Sequence, residues 1–143
     1  MHKVRVIREL IRRKRNDFDS YFIGTPLADR AHLMTELAIS GDASLRQHSD
    51  ELSKMIPDTE QDSSLQCSYA MNTGVMIESL IDFQATGKNE YYENAVESFF
   101  DSVDFKVQEE LERIGVARPT EDQIASHPLM LAELAWFDEL TKQ

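Results

Sequence analysis

Cys67 is the one cysteine in a chain that carries four histidines, and a thiol paired with an imidazole is the simplest nucleophile this sequence could assemble. It falls in the first turn of a helix expected to open at Leu65, where the helix dipole favours the thiolate. No local signature of a cysteine enzyme surrounds it, and a cysteine in a helical segment more often serves as a small buried hydrophobe. His127 stands directly before Pro128 and reads as a helix-start residue more readily than as a catalytic base. A small enzyme with a pocket near Cys67 and His127 is thus the alternative reading, and no residue is assigned a catalytic role.

Metal chemistry has little to build on. His32 and Glu36 share a helix face at i, i+4, as do Glu78 and Asp82, but the sequence has neither the Glu-x-x-His pair of helical di-metal sites nor a His-Glu-x-x-His run. Glu78 and Asp82 set against Glu97 and Asp101 across a helical hairpin would be a carboxylate group without a histidine, a combination that usually faces solvent. The five glycines are scattered singly, so no phosphate-cradling loop is formed. No metal and no cofactor is expected.

The unusual chemistry is the distribution of charge. The chain carries a formal net charge of −11, which argues against a surface built to hold nucleic acid or anionic membrane. Seven of the first fifteen residues are Lys or Arg against the single acid Glu9, so this segment is +6 and the remainder is −17. At 100° per residue Ile7, Leu10, Ile11, Phe18 and Tyr21 share one face of a helix over 3–21, and Arg5, Arg8, Arg12 and Arg15 share the opposite one. The plainest reading of that basic face is solvated surface. Docking on acidic protein, including a second copy in a homodimer, is the next, and nucleic acid ranks last because the acidic body repels a polyanion.

A second charged feature carries the other sign. Glu90, Glu93, Glu97, Asp101 and Asp104 succeed one another at helical spacings of three, four, four and three, and no Lys or Arg falls between them. Like charges at such spacings each destabilise a helix by roughly 0.2–0.5 kcal/mol, so a compensating charge is expected from the basic first helix, a second copy or a basic partner. A face kept acidic for solubility is the competing explanation.

The elements that would position these groups are all helical. Gly24-Thr25-Pro26 separates the first helix from a second, with Thr25 as its N-cap and Pro26 at its first position, and Gly41 ends that second helix. Asp42 is expected to cap a third helix carrying Leu45, Leu52, Met55 and Ile56, which stops at Pro57. The polar run 58–64 is the clearest linker, with Ser63 or Ser64 capping the next helix. A long antiparallel hairpin over 65–115 then organises the chain. Leu65, Tyr69, Met76, Leu80 and Phe83 line its first arm, and Tyr92, Val96, Phe99, Val103, Val107, Leu111 and Ile114 line its second. Gly87 and Asn89 define its turn, and Gly74 inside the first arm marks a close approach by another helix. Thr120 to Gln123 reads as a capping box, and a last helix after Pro128 presents Leu129, Ala132, Trp136 and Leu140, with Trp136 as its anchor. The expectation is an all-α, single-domain bundle of about six helices spanning 1–143. No apolar run approaches the roughly 20 residues needed to cross a bilayer. One cysteine fits a reducing compartment, so a cytoplasmic location is expected.

Three stretches also resemble a known family. Glu51-Leu52-Ser53-Lys54-Met55-Ile56-Pro57-Asp58-Thr59-Glu60, Tyr69-Ala70 at the opening of the hairpin, and His127-Pro128-Leu129-Met130-Leu131-Ala132-Glu133-Leu134 are similar to the YjaG-like family of small bacterial helical proteins. That resemblance implies an all-helical cytoplasmic protein and supplies no activity. Taken with the charge pattern, the leading expectation is a non-catalytic module that binds a basic protein through the acidic stripe. An immunity or antitoxin-like protein masking a basic nuclease toxin is one concrete version.

Overall fold

Helix-compatible periodicity runs through nearly every segment, and the chain folds accordingly. The structure is a computed structural model that describes residues 2–56 and 65–142, with the side chains of Leu65, Gln66 and Cys67 outside that description. Its elements are α1 (His2–Tyr21), α2 (Ala28–Ser40), a 3₁₀ turn (Ala43–His48), α3 (Ser49–Met55), α4 (Leu65–Thr86), α5 (Asn89–Arg113), α6 (Glu121–Ala125) and α7 (Pro128–Lys142). The all-α expectation holds. The linker 58–64, with the N-cap assigned to Ser63 or Ser64, lies outside the described residues. The chain divides into two compact units, Met1–Phe99 and Phe100–Gln143, the division falling inside α5.

In the first unit the apolar stripe of α1 is buried as its periodicity requires, with Ile7, Leu10, Ile11 and Phe18 all fully inaccessible. α1 packs most extensively on α4 and next on α2. α4 is the central helix. Tyr69, Ala70, Asn72, Thr73, Met76, Ile77, Ser79, Leu80, Ile81 and Phe83 are all buried, far more than one stripe, which is the signature of a helix covered on several sides. Gly74 is the contact point its position in the sequence suggests. A Cβ there would stand 2.9 Å from Ile56 Cγ1 and 3.3 Å from Phe18 Cε2.

α1 runs antiparallel to α4 and parallel to the first half of α5. Thr73 Oγ1 donates to the Lys14 carbonyl at 3.3 Å, and the Lys14 ammonium stands 5.2 Å from the centre of the Phe99 ring. Lys3, near the other end of α1, donates to Asn89 Oδ1 and lies over the Tyr92 ring at 5.2 Å. Lys14 is only 4% exposed, so its aliphatic stem counts as core and its charge faces an aromatic ring rather than water.

Several boundaries differ from expectation for local reasons. α2 begins at Ala28, not Pro26, and its N-cap Leu27 supplies no side-chain acceptor. Thr25 instead donates to the Phe22 carbonyl at 2.7 Å and accepts from Leu27 N, closing the turn after α1. Gly41 ends α2 in the left-handed region at φ 77°, with its N–H and that of Asp42 both directed to the Leu37 carbonyl. Asp42 does cap, accepting from Ser44 N at 2.8 Å, and that bond holds its carboxyl below the usual carboxylate range. It opens a 3₁₀ turn, however, and α3 starts only at Ser49. Asn89 is the first residue of α5 and not its cap, because its side chain is engaged with Lys3 and with Glu93.

In the second unit Val103, Val107 and Leu111 of α5 are buried, but Ile114 is 68% exposed because α5 ends at Arg113 and Gly115 turns the chain at φ 99°. The capping box forms as read: Gln123 N donates to Thr120 Oγ1 at 3.2 Å and Thr120 N to Gln123 Oε1 at 2.8 Å. α7 is held by Leu140, which is buried, and by Phe137, whose ring meets Phe100 edge to face at 5.4 Å. Trp136 is only half-buried, while Leu129 and Ala132 are exposed, so the face expected to anchor α7 is displaced toward Phe137. α7 is apolar nearly all round its first three turns, and such a helix has no single stripe for the sequence to reveal.

Candidate interaction face

The acidic residues of α5 lie along the solvent side of a helix whose other side is buried. In the first unit Glu90, Glu93 and Glu97 are exposed, while Ala95, Ser98 and Phe99 between and beside them are buried. In the second unit Asp101 is exposed and Asp104 half-buried. Glu93 Oε1 accepts from Asn89 Nδ2 at 3.0 Å, and Asn89 in turn accepts from Lys3, so one cation of α1 reaches the start of the stripe through an amide. Asp104 Oδ1 accepts from Gln108 Nε2 at 2.5 Å, one turn further along the same helix.

Arg8, Arg12 and Arg15 of α1 are directed elsewhere. Arg15 Nη2 lies 2.6 Å from Glu36 Oε1 of α2, an ion pair whose approach is off the ideal hydrogen-bond direction. Both partners are over a third exposed, which limits such a pair to about 0.2–1 kcal/mol. The Arg8 guanidinium packs against Gly41 at the C-terminus of α2, where a Cβ would come within 2.7 Å of its central carbon. There its charge complements the negative end of the α2 dipole. Arg12 pairs with Glu9 of its own helix at 3.6 Å, and Arg5 is half-buried. Asp19 extends the seam, with Oδ2 3.6 Å from His32 Nδ1 and Oδ1 accepting from Thr35 Oγ1 at 3.4 Å. His32 and Glu36 therefore turn to different partners. Within the face formed by Arg5, Arg8, Arg12 and Arg15, the seam with α2 takes Arg8 and Arg15, and Lys3 of α1 reaches the acidic stripe through Asn89.

Sequence reasoning could not have found this seam, since antiparallel placement of α1 on α2 decides which arginine meets which acid. A weak signal was available in Glu36, which is four residues from His32 and shares its side of α2.

Of the alternative site, the Cys67 side chain lies outside the described residues. His127 Nδ1 accepts from Leu129 N at 3.1 Å, so its imidazole serves as the N-cap of α7 immediately before Pro128 at the first helical position. That bond fixes the neutral ring's proton on Nε2. His127→Ala should lower stability by about 0.5–1 kcal/mol and His127→Asn should restore most of it, measured by urea denaturation. Among the described residues no three His, Cys, Asp or Glu side chains are gathered closely enough to hold a metal ion. Among the same residues no helix is long and apolar enough to cross a membrane.

The chain matches no protein-family model, no curated protein and no solved structure.

Proposed function

We propose that the protein is a non-catalytic interaction module that captures a basic protein through the acidic face of α5. The observation that carries this reading is the exposure of Glu90, Glu93, Glu97 and Asp101 along one helix, while Arg8 and Arg15 of α1 are committed to α2. A helix that keeps like charges at i, i+3 and i+4 gives up stability, and a partner that neutralises them recovers it on binding. Immunity or antitoxin-like masking of a basic nuclease, in a bacterial cytoplasm, is the concrete form proposed.

The test is affinity capture on the immobilised full chain from the host's own lysate at low salt, with elution in a rising salt gradient. A basic protein released in a narrow salt window supports the proposal, because salt screens exposed charges beyond the Debye length, about 10 Å at 0.1 M and shorter as salt rises. An empty column, with the chain itself eluting as a dimer in gel filtration, would replace the basic partner by a second copy docking through its basic first helix.

A further inference from the structure

The second unit holds a depression that adds an apolar component to this charge-based reading. It occupies about 320 Å³ and is lined by Ile124 and Ala125 of α6, Met130 and Leu134 of α7, and the carboxylates Asp104 of α5 and Glu121 of α6. Its lining thus combines four apolar side chains with two carboxylates. Leu134 is 45% exposed and Leu131 beside it 53%, although both lie on the helix that Phe137 and Leu140 seat further along. Large aliphatic side chains left in water beside a concavity forgo roughly 25 cal/mol for each Å² that a partner could cover.

The charge around the depression selects among occupants. The second unit has ten acidic side chains against four basic ones, a net of −6. Two of those four cations pair with acids outside the lining, Arg113 with Glu110 at 2.5 Å and Lys142 with Asp138 and Glu139. Asp104 and Glu121 enter no ion pair among the described residues, and the one bond Asp104 accepts comes from the neutral Gln108. Asp104 is also the last member of the α5 stripe and follows Asp101 by one turn within this unit.

We infer that the depression receives the apolar side of a basic amphipathic helix from the partner, one large aliphatic or aromatic side chain entering between Ile124, Met130 and Leu134 while flanking Lys or Arg residues meet Asp104 and Glu121. This rests on the acidic-face reading and narrows it: the partner's docking segment is helical, with apolar residues at i, i+3 and i+4 and cations beside them. The stripe steers the partner and the depression holds it, so part of the affinity survives salt.

Two fluorescein-labelled probes separate the parts, an amphipathic Leu/Lys peptide of about four helical turns and an oligolysine of equal charge. Binding to the full chain is monitored by anisotropy, with the intrinsic fluorescence of the single Trp136 as a second readout. The expected result is that the amphipathic peptide binds at least about tenfold more tightly than oligolysine, the equivalent of one partly buried leucine. Leu134→Gln and Met130→Gln should each remove most of that difference and leave oligolysine binding unchanged. Glu121→Lys should weaken both probes. If Leu134→Gln perturbs the fold by circular dichroism, Leu134→Met, which keeps the apolar volume, should retain the preference. Equal affinities for the two probes, or wild-type preference in Leu134→Gln, would overturn the depression as an anchor and leave the acidic face standing. Failure of both probes to bind at low salt would overturn the acidic face along with it.

Discussion

Replacing Phe18 by alanine is expected to cost about 3–5 kcal/mol, among the largest single-residue effects in the molecule. Phe18 is fully buried, its ring meets Phe22 edge to face at 5.2 Å, and its Cε2 approaches Gly74 on α4. It is thus the side chain through which α1 and α4, the most extensively packed helix pair, come together. A loss of this size is a large fraction of the 5–15 kcal/mol that typically separates folded from unfolded chains. It should appear in urea denaturation as a fall in midpoint with little change in slope.

Gly74 makes the same contact testable from the other side. Alanine there gains about 1 kcal/mol in helix propensity but drives a methyl to 2.9 Å from Ile56 and 3.3 Å from Phe18, an overpacking cost of about 1–3 kcal/mol. Gly74→Ala should therefore destabilise by about 1 kcal/mol in the wild-type background. In a Phe18→Ala background one of the two crowding neighbours is gone, and the penalty should shrink by at least about 0.5 kcal/mol. Additive effects within error would mean that Phe18 and Gly74 do not share the contact described.

These residues also mark how far local patterns reach. The burial of Ile7, Leu10, Ile11 and Phe18 comes from a 3.6-residue period, and the caps at Gly41 and Thr120 are equally local, because each depends only on neighbours a few positions away. Gly74 is conspicuous as a helix breaker inside a helix, yet the neighbours that require it, Phe18 and Ile56, lie 56 and 18 residues earlier and are set by packing. Periodicity fails at α4 and α7 for opposite reasons. α4 is apolar on several sides because neighbours cover it, whereas α7 is apolar on several sides and leaves Leu129, Leu131 and Leu134 uncovered. A sequence cannot distinguish those two cases. The acidic stripe is fully legible, since spacing alone places its members on one side of α5. The destination of the arginines is not: spacing leaves Arg8 and Arg15 free to oppose the stripe or face water, and the antiparallel seam with α2 takes both.

The charge of α5 predicts effects of opposite sign on stability and on binding. Glu97 lies four residues from both Glu93 and Asp101, so Glu97→Gln removes two like-charge pairs and should raise stability by about 0.4–1 kcal/mol at low ionic strength. The gain should fade as salt screens the pairs it relieves. Reversing Glu93, Glu97 and Asp101 together to lysine should instead weaken capture of a basic partner about 100-fold at low salt, close to 1 kcal/mol for each reversed rim charge. The loss should fall mainly on the association rate and shrink toward nothing near 0.5 M salt, roughly where the screening length drops below 5 Å. Stopped-flow association across a salt series would resolve both features. Stability that rises in Glu97→Gln, together with capture that is indifferent to the triple reversal, would make the stripe ordinary solvated surface. A rise in stability coupled to a loss of association rate is what distinguishes a binding face, because only then is the repulsion that weakens the free helix used when the partner arrives.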